Sequence, residues 1–543
     1  MIRAAARLFT MKNRSTTDLL VLLALLASCQ MPVARQPDQR PNILFLFTDD
    51  HAPHAIGAYG TRYAALNPTP NIDALAAQGM LFRNSFCTNS ICGPSRAVIL
   101  TGKHSHRNGF MANGNRFDGG QVTFPKILQK GGYRTALIGK WHLGSDPQGF
   151  DYWDILPGQG DYYNPVFINK DGRRQVEGYC TDLVTDLAIE WLEEQRKSDQ
   201  PFVLMCQHKA PHRNWMPPLR HLDLYDDVVL PEPATLFDKY EDNASPARHQ
   251  EMEIDRHMNI VYDLFVDPHE GWDKKSGTDK SGFRNLKKMN AVQRAAWTRG
   301  FAAENAAFLK DRPTGRGLVS WKYQRYMKNY LRTIRGVDDN VGRMMDYLKK
   351  TGLDKNTVVI YSSDQGFYLG DHGWYDKRWM YEESLKMPLI VRWPGVTQAG
   401  SKADQLVQNL DYAQTFLEMA GVASPDGMQG RSLVDLLRGA APDDWRSSIY
   451  YHYYGFPAVH QVARHYGIRT DRYKLIWFYQ FDEWELYDLR SDPDELRNLY
   501  GDPAQQDRIV SLKADLESLR VSYGDDSASG PMPAAWRAKM RAR

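Results

Sequence analysis

Cys92-Gly93-Pro94-Ser95-Arg96, followed by Thr101-Gly102-Lys103, sets a potential nucleophile beside a guanidinium. Pro94 and Ser95 suit the start of a helix and residues 97–100 continue it, so Cys92 falls near a helix amino terminus, where peptide dipoles favour an anion. From chemistry alone Cys92 is either a thiolate nucleophile activated by Arg96 and the dipole or a buried, inert thiol. Asp49, Asp50, Asp364 and the amide oxygen of Gln365 are hard oxygen donors, suited to Ca2+ rather than zinc. Lys140, His142, His212 and Lys377 add cations and imidazoles, groups able to hold an anion or carry a proton.

Residues so far apart must be carried to one place. Four short apolar runs, at 43–47, 136–138, 202–205 and 358–361, lead into polar clusters. These are Thr48-Asp49-Asp50, Gly139-Lys140-Trp141-His142, the stretch from His208 to Pro211-His212, and Ser363-Asp364-Gln365. Continuous apolar runs of this length read as strands buried on both faces, as in a parallel sheet. Between them lie helical patterns. Met327, Tyr330, Leu331, Ile334, Val337, Val341, Met344, Met345 and Leu348 recur at spacings of three and four and stop before Gly352. Strands alternating with helices predict an α/β fold with a doubly wound, mostly parallel sheet, whose ligands sit beyond the carboxyl ends of the strands. All four polar clusters fall at those ends.

Composition narrows the class. The 68 Lys and Arg against 65 Asp and Glu leave a charge of +3, a surplus that lies in the first 28 residues. Neither a nucleic-acid binder nor an acidic solvating chain is expected. With 42% hydrophobic and 12% aromatic residues the chain can bury a large core. Five cysteines, at 29, 87, 92, 180 and 206, are too few and too irregular for a disulfide scaffold or a zinc ribbon. A basic start, an apolar run at 19–26 and a small-residue exit describe a secretory signal, too short to span a bilayer. Leu26-Ala27-Ser28-Cys29 is similar to the lipobox of bacterial lipoproteins, which implies cleavage before Cys29 and lipidation of its sulfur. We therefore expect a lipoprotein signal peptide over 1–28, a lipidated tether over 29–40 and a catalytic domain over 41–435. A small α+β subdomain over 436–526 and a flexible tail over 527–543 follow. Strand-like segments at 448–454 and 473–479 and an amphipathic helix at 509–519 would build the subdomain, while 240–320 reads as a helical or irregular surface excursion. Such a protein is exported, periplasmic or in the outer membrane, and meets the membrane only through its lipid.

The stretch around Cys92 resembles the type I sulfatase signature. The likeness runs over residues 41–520 through Asp49-Asp50, Gly139-Lys140-Trp141-His142-Leu143-Gly144, Ala210-Pro211-His212 and Ser363-Asp364-Gln365-Gly366. It implies an alkaline-phosphatase-like fold in which a maturation enzyme oxidises Cys92 to formylglycine (3-oxoalanine). One Ca2+ would be held by Asp49, Asp50, Cys92, Asp364 and Gln365. Many sulfatases carry Asn at the last position and many wider relatives a metal-binding His, so Gln365 departs from both and keeps the donor set oxygen-rich. The likeness further implies that the hydrated aldehyde attacks sulfur while Lys140, Lys377 and Arg96 stabilise the sulfate, Arg96 also orienting the diol. His212 would protonate the departing oxygen and His142 remove the proton that expels sulfate. One divalent ion with these three cations outweighs the three carboxylates by two charges, attracting a sulfate and a phosphate monoester alike.

The run from Gly370 to Ser384 is dense in groups that bind sugars: aromatic faces for stacking, Asp and Arg for bracketing hydroxyls. It looks like bacterial N-acetylglucosamine-6-sulfatases acting on mucin and glycosaminoglycans. That implies Lys377 on the sulfate and Asp376 and Arg378 on hydroxyls of a terminal N-acetylglucosamine, with His460 or His465 completing the pocket. Two alternatives stay open: a phosphatase or phosphodiesterase using unmodified Cys92 or a metal-bound water, and a lipid-anchored glycan-binding protein without turnover.

Overall fold

The computed structural model describes residues 40–266 and 284–527, with residue 538. The segment expected to be a signal peptide, Cys29 and nearly all of the expected tail lie outside the described residues.

A ten-stranded sheet forms the centre. Its strands are β1 (Asn42–Thr48), β2 (Met80–Phe82), β3 (Arg134–Lys140), β4 (Tyr152–Leu156), β5 (Val166–Asn169), β6 (Gly172–Gln175), β7 (Phe202–Gln207), β8 (Thr357–Ser363), β9 (Leu389–Arg392) and β10 (Ser401–Ala403). In space they run β10-β2-β9-β8-β1-β7-β3-β4-β5-β6. The strands β8, β1, β7, β3 and β4 are parallel, with antiparallel neighbours β9 on one side and β5 on the other. The four strands expected from the sequence are the adjacent β8, β1, β7 and β3.

Strand β1 shows why both faces need cover. Ile43, Phe45 and Phe47 enter one apolar cluster, Leu44 and Leu46 the other. The flanking helices are α1 (Cys92–Thr101), α2 (Cys180–Gln195), α3 (Ala291–Asp311) and α4 (Gly315–Thr351). Ala97, Ile99 and Leu100 of α1 fill the first cluster, and Val184 of α2 with Val337, Val341 and Leu348 of α4 fill the second. Helix α4 stops where expected, at Gly352, whose φ of 76° is a left-handed cap.

Register positions the site. Phe47 pairs with Gln207, Gly139 with Gln207, and Thr48 with Ser363. The four strands therefore end nearly level, and Asp49, Lys140, His208 and Asp364 emerge side by side. Gly139, at φ 104°, lies so close to the Gln207 carbonyl that a Cβ would overlap it.

A second, four-stranded sheet follows, of β11 (Ser448–Tyr453), β12 (His465–Thr470), β13 (Tyr473–Phe478) and β14 (Glu483–Asp488), all antiparallel. Helix α5 (Gln506–Tyr523) packs Ile509, Leu512 and Leu516 against it. The fold is thus the doubly wound sheet with a small α+β portion that the sequence predicts. Residues 240–320 need correcting, because they are not a surface excursion throughout. Asn243, Ala244, Met252 and Ile254 are buried. Met252 O accepts from Tyr375 N at 3.0 Å, Glu251 N donates to His460 O at 2.7 Å, and Ala244 N donates to Glu485 Oε1 at 2.7 Å. Main-chain groups make these contacts, so a polar side-chain pattern did not announce them.

Candidate active site

Asp49, Asp50 and Asp364 bring carboxylate oxygens within 4.8 Å of one another, and Asp49, Cys92 and His212 form an overlapping group. Asp50 takes φ 67°, its N–H donating to Asp364 Oδ1 at 3.1 Å and its carbonyl accepting from Tyr330 at 2.7 Å. Gln365 turns its amide nitrogen to Asp50 Oδ1, which leaves Oε1 buried without a hydrogen-bond partner, as is Asp49 Oδ1. Burial raises the Asp50 carboxyl to about 7 against the pull of Lys377. Converging buried carboxylates with unpartnered oxygens are surroundings that a hard cation satisfies, so these residues fit Ca2+.

Cys92 is the first residue of α1, so the helix begins earlier than Pro94. Burial pushes its thiol up, with Lys377 and Arg96 opposing, which favours the buried, inert thiol of the two readings from chemistry alone. Arg96 is committed to protein oxygens. It donates Nε and Nη2 to Asp364 Oδ2 at 3.2 and 3.0 Å, and Nη1 to Lys140 O at 2.9 Å and Gln207 Oε1 at 2.7 Å. The guanidinium braces the ends of β3, β7 and β8, leaving little of its fork for a ligand.

Lys377 donates to Asp50 Oδ1 and Oδ2 at 2.6 and 2.8 Å, and Lys140 pairs with Asp49 and bonds Gln159. His142 has φ 57° and a buried Nδ1 without a partner. Burial, then Lys140 and Arg96, push it well below the usual imidazole range, leaving a neutral base. His212 Nδ1 meets Arg213 O at 2.6 Å, so its proton sits there and Nε2, 4.0 Å from Asp50 Oδ2, faces the centre. Burial, then Lys140 and Lys209, push His212 down too.

Beside Lys377, Arg378 Nε donates to Asp376 Oδ1 at 3.1 Å, and His460 Nε2 lies 3.2 Å from Asp376 Oδ2. Asp376, Arg378 and His460 have φ of 79°, 95° and 69°. With Asp50 and His142 they form a set of strained non-glycine residues around one point, as functional sites often hold.

The structure separates the two histidines left as alternatives. His465 is fully buried, bonds Ala463 O through Nδ1 at 2.8 Å, and stacks on Trp379 and Tyr451 at 5.5 and 5.6 Å. It belongs to an aromatic core. The aromatic faces expected to stack on sugars are corrected likewise: Trp374, Trp379 and Tyr381 are fully buried and stack on one another at 5.5, 5.7 and 5.8 Å. Gln207 and Lys209 were missed, though their place after an apolar run was a usable signal. Asn113, whose Nδ2 lies 3.9 Å from Cys92 Sγ, carried none.

The family model described as Sulfatase matches residues 41–422, and one described as N-sulphoglucosamine sulphohydrolase, C-terminal, matches 370–522. The chain is 47% identical over 524 residues to an N-acetylglucosamine-6-O-sulfatase of Bacteroides thetaiotaomicron, covering 95% of this chain and 92% of the relative. It is 27% identical over 521 residues to the N-acetylglucosamine-6-sulfatase of Homo sapiens, covering 85% and 81%. A solved structure of BT4656 in complex with its substrate D-glucosamine-2-N,6-O-disulfate matches with a TM-score of 0.85 and 46% identity, covering 90% of this chain and 99% of that chain.

Proposed function

The chain belongs to the sulfatase family of sulfuric ester hydrolases, and on that premise we propose that it removes the 6-O-sulfate of N-acetylglucosamine in mucin or glycosaminoglycan glycans. One three-residue segment carries this reading. Its middle residue, Lys377, holds Asp50 of the reacting centre, while its neighbours Asp376 and Arg378 form a polar fork backed by His460. The relatives named for 6-sulfated glucosamine support the same substrate.

Asp49, Asp50, Asp364 and Gln365 would hold Ca2+, which supplies charge against the sulfate oxygens and acidifies a neighbouring oxygen. Cys92, oxidised by a formylglycine-generating enzyme, supplies a hydroxyl nucleophile at the amino terminus of α1. Lys140 and Lys377 stabilise charge developing on the sulfate oxygens. Arg96 orients Asp364. His142, held neutral, accepts a proton. His212 is tied through Nδ1, so it delivers a proton to the departing sugar oxygen from Nε2 alone, and the arriving anion raises its proton affinity. Asp376 and Arg378 grip sugar hydroxyls, with His460 fixing Asp376.

Export and lipid anchoring through Cys29 complete the proposal, with segment limits of 1–28, 29–40, 41–435, 436–526 and 527–543. Mass spectrometry of the peptide spanning residues 85–103, paired with a panel of sulfated monosaccharides and phosphate esters, tests the function. Turnover is expected on 6-sulfated N-acetylglucosamine and not on its 3-sulfated or galactose counterparts. A free thiol at Cys92 in active protein, or full turnover by Cys92→Ala, refutes the mechanism.

A further inference from the structure

We propose that Lys209 is a further substrate-binding residue, its ammonium pairing with the sulfate group of the bound ester; this rests on the sulfatase reading above. The other cations gathered here each have a carboxylate: Lys140 on Asp49, Lys377 on Asp50, Arg96 on Asp364 and Arg378 on Asp376. Lys209 is different. Among the described residues no carboxylate lies within ion-pair range of it and its ammonium makes no hydrogen bond. Its contact is with the face of Tyr162, Nζ standing 4.5 Å from the ring centroid. Lys209 is only 4% exposed. An ammonium withdrawn from water without a counter-charge is strongly unfavourable, and an arriving anion relieves it.

Its position says which anion. Lys209 follows β7 at the level of the other strand ends, and its charge interacts with Cys180 and Asp161, then with Asp50 and Cys92, and with Lys140, His142 and His212. Asp50, Cys92, Lys140, His142 and His212 are the groups that would surround the reacting sulfur. Asp161, another acid in its field, is already paired with Lys288 at 3.2 Å. The ammonium is also held in place. Tyr162 donates its hydroxyl to His212 O at 2.6 Å, and His212 N donates to Lys209 O at 3.1 Å, so the cation and the proton-carrying imidazole share one braced corner. Lys209 thus supplies the positive charge that no protein carboxylate neutralises before substrate binds.

The test compares Lys209→Met and Lys209→Arg with the parent enzyme, with Lys209→Gln standing in should the Met variant fail to fold. Inorganic sulfate binding by calorimetry, kcat and KM on 6-sulfated N-acetylglucosamine, and the melting temperature are measured. Loss of the ammonium is expected to weaken sulfate binding and raise KM by about tenfold or more, with kcat less affected. Lys209→Arg retains most of both, and neither variant melts below the parent. Unchanged sulfate binding and KM in Lys209→Met overturns the proposal, as does a loss that tracks only lost folded protein. An inactive parent enzyme would count against the sulfatase reading instead, and the sulfate-binding comparison would still decide the role of Lys209.

Discussion

His460 Nε2 lies 3.2 Å from Asp376 Oδ2, joining the loop between β11 and β12 to the segment that carries Lys377. The other oxygen of Asp376 accepts from Arg378 at 3.1 Å, so the carboxylate is held from two sides. Burial works to raise its pKa, but Arg378, Lys377 and His460 keep it well below the usual carboxylate range, so Asp376 stays an acceptor. A fixed acceptor beside a fixed fork of donors recognises hydroxyls and contributes little to breaking an S–O bond. Asp376→Asn and Arg378→Ala should each lower kcat/KM on 6-sulfated N-acetylglucosamine by about 100-fold or more, with less than about tenfold loss on a small aryl sulfate. Equal losses on the two substrates would refute the recognition role.

The two histidines of the C-terminal portion should part company under substitution. His465 packs on Trp379, Tyr451 and Phe478, so His465→Phe should keep kcat/KM within about threefold. His465→Ala should instead cost about 2–4 kcal/mol in urea unfolding through the cavity it leaves, with KM unchanged. His460→Phe removes the contacts to Asp376 and to Glu251 O and should raise KM for the glycan, with a stability loss of about 1–2 kcal/mol. A normal KM in His460→Phe would exclude that residue from the pocket.

Asp49, Asp50 and Asp364 bring carboxylate oxygens within 4.8 Å of one another, so metal occupancy should be visible without turnover. Calcium added to chelator-treated protein at about 100 times its dissociation constant should stabilise the fold by about 2.7 kcal/mol. Calorimetric melting with and without calcium measures this. Asp49→Asn should abolish the increment, and Gln365→Ala should shrink it. Zinc restoring both stability and activity where calcium does not would contradict the oxygen-donor assignment.

The central sheet was legible because its strands are buried on both faces and so consist of unbroken apolar runs. The polar residues that end those runs marked the site for the same reason. Strand β14 was not legible. Glu483 and Glu485 interrupt its apolar pattern, yet Glu485 is fully buried and accepts from Tyr381 at 2.8 Å and Ala244 N at 2.7 Å. The direction a side chain takes was beyond the sequence in two instructive places. Trp374 and Trp379 looked like a sugar platform, but their apolar area is satisfied by mutual stacking in the core. Arg96 looked like an anion ligand, but Asp364 and two strand-end oxygens occupy its fork. Residue type announced the chemistry; only packing decided which groups were left to perform it.

The same substrate-side segment gives the fold a pH dependence whose sign can be worked out. His372 is fully buried, with Nδ1 3.2 Å from Asp238 Oδ2 and Nε2 3.9 Å from Glu383 Oε2. Burial works to lower its pKa, but the bond to Asp238 and the charge of Glu383 win and raise it from 6.5 to about 9. A raised imidazole contributes stability that is fully present below 6.5 and lost as pH rises through about 9. Glu383 acts in the same sense. Burial raises it against the pull of His372, so the two titrate as a pair and lose stability together as pH rises. Unfolding free energy should therefore fall between pH 6.5 and 9, by up to about 3 kcal/mol for the His372 share. His372→Gln should be less stable than the parent at pH 6 and match it near pH 9.5, as read by urea denaturation across that range. A gap between the two that stayed constant with pH would show that His372 is not charged in the folded protein.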